Sequence, residues 1–389
     1  VNYALDELPE FRYRNPIHGC GVWAPAIRYH EGTYYICFPM PDEGIYMTTT
    51  KDPFGKWSKP VNIRPGAGWI DPCPFWDDDG KAYLVAGVAK SRIGYKSVLH
   101  MVEMQPDGMG LIGEEVKIFD GNENDQVTIE GPKMYKRNGW YYIFIPAGGV
   151  EYGWQPVLRA RNVYGPYEEK IVMHQGASSI NGPHQGAWVT APDGSDWFLH
   201  FQDRFELGRV VHLQPMCWHS DWPFIGLEQN GDGIGEPVTE WDCPKGEAGP
   251  GLQIGDSFTN GKPGLQWQWQ ANPQPEAWLR PVAGDALHLV CGASGSLWRQ
   301  PNVLSQMLPA ADFTANVTLG LAGCGAGAKV GLSVMGQKYS AIELCRTAQG
   351  CTVQLVQGMV KDLAPTGDAE ETILAEKMVD TDEITVTMK

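Results

Sequence analysis

Four segments in the first two thirds of the chain repeat one layout, and this repeat restricts the fold more than any other sequence feature. Each begins with a tryptophan, an acidic residue or a histidine. A short β-rich run, a turn ending in glycine, and a second, aromatic β-rich run follow. The turn glycines, Gly32, Gly80, Gly139 and Gly194, are 48, 59 and 55 residues apart. This spacing is about one propeller blade of four short strands. Helical periodicity is nearly absent and the chain has 47 Gly and 29 Pro, so we predict an all-β fold that begins with a β-propeller.

The character of the sequence changes near residue 250. A Pro/Gly-rich stretch runs from Cys243 to Gly251, and the segments after it alternate apolar and polar residues. A period of two indicates antiparallel strands with one buried face. We therefore predict a propeller over residues 1–245 and a β-sandwich over residues 252–389. Because a sandwich closes its edges and the last strand-like run ends at Lys389, we expect this domain to be truncated at its C-terminus.

Composition and charge disfavour several classes of partner. The net charge of −16 would repel nucleic acid and anionic lipid, and no apolar run is long enough to span a membrane. The 15 Trp, 15 Tyr and 12 Phe supply core rings and also surfaces on which sugars stack. The nine Cys are scattered without a CxxC pair, so neither a zinc site nor a dense disulfide framework is indicated.

The N-terminus has no starting Met and none of the regions of a signal peptide. We expect either that a leader was removed or that the sequence begins inside a longer chain. The compartment is therefore unknown, with an extracellular or periplasmic location favoured.

Three polar residues occupy the same place in successive repeats. Asp71, Glu130 and His184 lie eight to ten residues before the turn glycine, where the first repeat has Ala24. Because equivalent positions in propeller blades share one radial place, we expect these side chains to converge at one mouth of the central channel. Glycoside hydrolysis uses two carboxyl groups, one of them protonated. The negative charge of one group would raise the pKa of the other and keep it protonated near neutral pH.

Five motifs make the chain resemble glycoside hydrolase family 43, whose members are five-bladed propellers. Together they span roughly residues 15–226, and their combination is highly specific. The resemblance implies a five-bladed propeller whose first blade is incomplete in this chain, followed by a concanavalin-type sandwich. It implies that Glu130 is the general acid and that Asp71 tunes its pKa and orients it. The motifs are GVWAPAIRYHEGTYY, IDPCPFWDDDGKAYLV, IEGPKMYKRNGWYYIF, NGPHQGAWV and WFLHFQDR.

The resemblance also implies residues that contact the substrate. Trp23 matches an aromatic wall of the sugar pocket, Arg209 an arginine that reaches the substrate, and His184 a histidine near the propeller axis. In several relatives that histidine is beside a bound calcium ion or its waters, so His184 is a candidate metal contact. Trp154 is a candidate for the pocket rim. Each has a structural alternative: a hydrogen-bonded buried imidazole, an arginine paired with an acid, or tryptophans packed in the core.

The third carboxylate of the family, the aspartate that acts as general base in a DPD-like motif, is not assigned. The sequence begins too late for that motif, and Asp6 lies in a segment that resembles the end of the first blade. We expect that this chain lacks the base and that, as given, it binds pentose better than it hydrolyses it.

The resemblance thus implies an inverting exo-glycoside hydrolase that releases terminal α-L-arabinofuranose, β-D-xylose or both from plant cell-wall polysaccharide, such as arabinoxylan, or from xylo-oligosaccharides. The alternative is a non-catalytic glycan-binding propeller. Retention of both Asp71 and Glu130 favours the enzyme, because a binding module needs no proton donor. No cofactor is required, although calcium on the propeller axis is an alternative to water there. The run Asp77–Gly80 predicts a hairpin turn rather than a calcium loop.

Overall fold

A computed structural model describes residues 2–246, 249 and 251–389 and divides the chain into two units. The first holds the described part of Val1–Leu5 and Cys20–Pro250, and the second holds Asp6–Gly19 and Gly251–Lys389. The domain limits 1–245 and 252–389 stay predictions.

The segment Asp6–Gly19, which by sequence resembles the end of a blade, is tied to residues of the second unit. Asn272 N–H donates to the Tyr13 carbonyl at 2.7 Å, and the His18 ring stacks on Trp298 with centroids 3.7 Å apart.

Within its described residues, the first unit contains four antiparallel sheets of four strands, and each sheet takes its strands in sequence order. This succession is the arrangement of propeller blades, while the count of five blades and the incomplete first blade stay predictions. The sheets are β1 (Ala26–His30), β2 (Thr33–Met40), β3 (Gly44–Thr50) and β4 (Val61–Pro65); β5 (Trp69–Trp76), β6 (Ala82–Val88), β7 (Val98–Met104) and β8 (Val116–Asp120); β9 (Lys133–Arg137), β10 (Trp140–Phe144), β11 (Gln155–Ala160) and β12 (Glu168–Met173); and β13 (His184–Thr190), β14 (Asp196–Asp203), β15 (Arg209–His219) and β16 (Trp222–Ile225).

The four turn glycines lie in the hairpins that join the first two strands of each sheet. Gly32, Gly80, Gly139 and Gly194 have φ between +71° and +84°, a region that glycine enters without steric cost. The Asp77–Gly80 run is the turn between β5 and β6, as predicted, with Asp77 N–H donating to the Lys81 carbonyl at 2.8 Å. The repeat found in the sequence is therefore the leading hairpin of each sheet.

Apolar clusters between neighbouring sheets hold the first unit together. All seven residues of β6 are buried, because both faces of this strand are covered. Leu84 and Val102 pack against Ile45 and Met47 of the first sheet, and Val85 belongs to the cluster that includes Ile143 of the third sheet. These clusters hold the leading strands of the second, third and fourth sheets; Asp71 and His184 lie on such strands, and Glu130 lies three residues before Lys133, where its strand begins.

The second unit is also built from antiparallel strands, as the period of two predicts. Its longest sheet takes β22 (Lys329–Val334), β23 (Lys338–Thr347), β24 (Gly350–Val360) and β25 (Ala369–Val379) in order, and β21 (Ala315–Gly320) pairs with β26 (Glu383–Met388). Helices in the described residues are short, and none of them has the length and apolar character needed to cross a membrane. The strands are β17 (Gln268–Trp269), β18 (Leu279–Arg280), β19 (His288–Leu289), β20 (Leu304–Ser305), β21 (Ala315–Gly320), β22 (Lys329–Val334), β23 (Lys338–Thr347), β24 (Gly350–Val360), β25 (Ala369–Val379) and β26 (Glu383–Met388); the helices are α1 (Lys90–Ile93), α2 (Pro275–Trp278) and the 3-10 turns Phe11–Arg14, Phe205–Leu207, Thr259–Gly261 and Leu297–Arg299.

Candidate active site

Glu130 and His184 are in direct contact at the start of the third and fourth sheets. His184 Nε2 is 2.7 Å from Glu130 Oε1. The His184 side chain is fully buried, whereas a quarter of the Glu130 side chain is exposed. Gly87 on β6 lies beside Glu130, where an added Cβ would be in ordinary van der Waals contact, 3.6 Å from Glu130 Cα. Glu130 is thus held from within the protein and open on one side.

Asp71 lies behind this pair and is only 3 % exposed. One of its oxygens, Oδ2, accepts a hydrogen bond from Gly131 N–H at 2.7 Å and another from Gln185 Nε2 at 2.9 Å. Gly131 follows Glu130 in the chain, and Gln185 follows His184. Asp71 therefore holds the backbone beside Glu130 rather than facing solvent.

Irregular strand register brings these residues to one place. The pairing of β5 with β6 shifts between Ile70 and Cys73, and that of β13 with β14 shifts between His184 and Ala187. Asp71 has φ +53°, which an ordinary strand residue does not adopt. A bulge of this kind lets successive side chains face the same site instead of alternating.

The surroundings push the pKa values of the two carboxyl groups apart. Burial and the charge of Glu130 raise the pKa of Asp71, against the opposing effects of Lys133 and its hydrogen bonds. Burial also raises the pKa of Glu130, but the hydrogen bond and charge of His184, with the charge of Arg209, outweigh it and leave that pKa lowered. This direction is the reverse of the sequence-based expectation for Glu130, because His184 acts on it more strongly than Asp71 does.

Arg209 is linked to the site through an aromatic ring. Its guanidinium lies 4.8 Å from the ring centroid of Phe201, and the same ring is 5.7 Å from His184. Arg209 is exposed, and its charge acts on Glu130. The predicted arginine is therefore at the open side of the site.

The two predicted tryptophans make contacts with residues other than the two carboxyl groups. Trp23 is half-buried with the Arg92 guanidinium 5.1 Å from its ring centroid. Trp154 packs against the core cluster of the second and third sheets, and its Nε1–H donates to Gln126 Oε1 at 2.8 Å. Their places in a sugar pocket stay predictions.

Two residues of the site were missed by the sequence reasoning. Lys133 is 7 % exposed, acts on Asp71, and donates to the Gly131 and Pro132 carbonyls at 3.4 and 3.3 Å. Gln185 carried a signal: it lies nine residues before Gly194, the same distance that separates Asp71 from Gly80. For Lys133 the sequence offered no comparable signal, because its burial depends on contacts between sheets.

The described residues provide no set of protein ligands for the predicted calcium ion. Among the residues that the structure describes, no three His, Cys, Asp or Glu are grouped so that they could hold a metal ion. His184 Nε2 is engaged by Glu130, which leaves Nδ1, buried without a hydrogen-bond partner, as the one ring nitrogen for another contact. His184 alone does not fit a calcium site, because calcium takes six to eight oxygen ligands.

Comparison with known proteins places both parts of the chain. Residues 1–223 match the model of glycosyl hydrolases family 43, and residues 255–389 match a beta xylosidase C-terminal concanavalin A-like domain. A Xylanibacter ruminicola protein provisionally named beta-xylosidase is 43 % identical over 84 % of this chain and 60 % of its own. A beta-xylosidase of Formosa agariphila is 31 % identical over 78 % of this chain and 59 % of its own.

Solved structures agree with this assignment. A bifunctional GH43-CE protein of Bacteroides eggerthii superposes with a TM-score of 0.81 at 26 % identity, over 100 % of this chain and 49 % of its own. The chain spans about three fifths of the length of these two curated relatives. The predicted all-β fold and the concanavalin-like C-terminal part are confirmed, and the chain belongs to glycosyl hydrolases family 43.

Proposed function

We propose that the whole protein is an inverting exo-glycoside hydrolase that releases terminal β-D-xylose or α-L-arabinofuranose from plant cell-wall polysaccharide or its oligosaccharides. The names of the relatives support this substrate class: two refer to beta-xylosidase, and a Bacteroides ovatus protein 29 % identical over 72 % of this chain and 53 % of its own is a non-reducing end alpha-L-arabinofuranosidase. The observation that carries the proposal is the unequal exposure of two adjacent carboxyl groups. Asp71 is buried, whereas Glu130 is accessible.

The unequal exposure divides the roles. Glu130 is the general acid, because a proton donor must reach the glycosidic oxygen. Asp71 is a positioning residue: it accepts the Gly131 N–H at 2.7 Å beside Glu130, and repulsion between the two carboxyl groups raises the pKa of Asp71.

In this proposal, the proton that Glu130 donates to the glycosidic oxygen is the one in the hydrogen bond between Glu130 and His184. At 2.7 Å one proton lies between the two groups, either on the carboxyl or on the imidazole. A positively charged His184 lowers the pKa of Glu130, and a neutral imidazole would accept a hydrogen bond from the protonated acid. Binding of sugar at the exposed side of Glu130 excludes water and favours the neutral pair. Arg209 and Trp23 contact the sugar, and water attacks from the opposite face with help from a general base that we do not assign.

The test is a panel of nitrophenyl β-D-xylosides and α-L-arabinofuranosides with the full-length protein, with the anomer of the first product followed by NMR. Appearance of the inverted anomer supports the proposed stereochemistry, and binding of pentose without turnover would favour the glycan-binding alternative. Glu130→Gln should reduce hydrolysis of natural glycosides by about 10²- to 10⁴-fold, because their leaving groups need a proton, and spare activated aryl glycosides. Equal losses on both, with bond cleavage rate-limiting for each, would remove Glu130 from the acid role.

A further inference from the structure

Gln185 connects the two carboxyl-bearing segments of the site, and the roles proposed above do not account for it. Its Nε2 donates to Asp71 Oδ2 at 2.9 Å, the oxygen that also accepts from Gly131 N–H. Its amide also lies against Gly131, where a Cβ would be 2.8 Å from Gln185 Oε1. Segments that lead into three different sheets therefore meet at one side-chain amide.

The backbone at Gln185 is strained in a way that serves this contact. Its φ of +53° lies in the left-handed region, which is unfavourable for a residue with a Cβ. The register shift between His184 and Ala187 lets two consecutive residues face the site, where a regular strand would turn one of them away. His184 then contacts Glu130, while Gln185 contacts Asp71. Strain of this kind persists where the surrounding contacts hold it, and it is common at active sites.

We propose that Gln185 is a positioning residue whose side-chain amide holds Asp71 and the Glu130–Gly131 backbone in the geometry from which Glu130 donates its proton. This rests on the proposed function. The charged groups that act on this assembly are Lys133 at Asp71, and His184 and Arg209 at Glu130. Gln185 adds a neutral donor that acts on both carboxyl groups: its hydrogen bonding lowers the pKa of Asp71 and of Glu130 without adding net charge.

The test compares substrates with poor and good leaving groups in the full-length enzyme. Gln185→Met keeps the side-chain length but removes the amide, so kcat on xylo- or arabino-oligosaccharides should fall by about 10- to 100-fold with little change in KM. On dinitrophenyl glycosides the loss should be below about 3-fold, because these leaving groups need little protonation. Gln185→Asn tolerates the positive φ and withdraws the amide by one methylene, and it should show the same pattern if the Met variant does not fold.

The matched control is Gln214→Met, which removes another buried amide in the same unit. Gln214 exchanges hydrogen bonds of 2.7 and 3.3 Å with the Val238 backbone, so its loss should lower Tm with equal rates on both substrate classes. The double variant Gln185→Met with Asp71→Asn should lose less kcat on oligosaccharides than the two single losses combined predict, because one residue acts through the other.

Two outcomes separate the inference from the proposed function. If Glu130→Gln shows no leaving-group dependence, the acid role fails and the inference fails with it. If Glu130→Gln shows that dependence but both Gln185 variants slow the two substrate classes equally, or their effects add fully to that of Asp71→Asn, then Gln185 does not position the acid.

Discussion

His184 Nε2 and Glu130 Oε1 lie 2.7 Å apart, with the imidazole fully buried and the carboxyl group open on one side. A buried group with a fixed partner has few alternative positions, so the protein sets the geometry of this pair. A bound ligand can change only the surroundings of the exposed side of Glu130. The surroundings therefore control whether the shared proton is on Glu130 or on His184.

Replacing His184 should move the alkaline limb of the pH profile upward. His184→Gln removes the imidazole whose hydrogen bond and charge lower the pKa of Glu130, so Glu130 should keep its proton to higher pH. The measurement is kcat/KM against pH on an oligosaccharide substrate, with Tm as a check on folding. A limb that stays in place would show that His184 does not control the acid.

Replacing Asp71 should move the same limb downward. The charge of Glu130 raises the pKa of Asp71, and such repulsion is reciprocal. Asp71→Asn removes it but keeps an oxygen for the Gly131 N–H, so the pKa of Glu130 should fall while the backbone stays in place. The same pH series measures this. Opposite shifts for the Asp71 and His184 variants are expected, and shifts of the same sign would contradict the electrostatic account.

Gly131→Ala should reduce activity more than stability. Gly131 has φ +58°, and the added Cβ would meet the Gln185 amide at 2.8 Å, which must then move away from Asp71. We expect a loss of about 10- to 100-fold in kcat/KM, because small displacements of catalytic groups are costly. Gly80→Ala is the control: its φ is +84° and a Cβ there meets nothing within 4 Å, so it should cost about 1–2 kcal/mol of stability and leave activity unchanged.

Asp77→Ala should destabilise the propeller without affecting catalysis. The buried Asp77 carboxylate accepts hydrogen bonds from Tyr141 Oη at 2.5 Å and from Lys136, so its loss should cost about 3 kcal/mol in urea unfolding at pH 7. Burial raises the pKa of Asp77, but these partners outweigh it and the net pKa is lowered. Its contribution is therefore present above the unfolded pKa of about 3.9 and is lost as pH falls through the lower folded value. A difference between wild type and variant that does not shrink at low pH would contradict this.

Removal of divalent ions should leave activity and Tm unchanged. The described residues offer no group of three metal-ligating side chains, and His184 Nε2 is already engaged. Dialysis against EDTA, followed by activity and thermal unfolding measurements, checks this. Loss of either property, restored by calcium, would show that the ion is held largely by water beside His184.

Local patterns in the sequence were sufficient for the strands, the hairpins and the choice of Asp71, Glu130 and His184. A turn glycine and a run of β-forming residues act within ten residues of each other, so one repeat contains the information for its own hairpin. Because the repeats stack in order, an equivalent position in each also predicts convergence. The contact between Glu130 and His184 follows from that logic.

Only the tertiary structure decided how these residues act on one another. A one-residue shift in register turns a strand residue to the other face, and such a shift is what brings Gln185 to Asp71. The lowered pKa of Glu130 depends on Arg209 and His184, which lie far away in the chain, and the placement of Trp154 in the core depends on packing between sheets. These are long-range contacts, and the spacing of residues within a repeat carries no information about them.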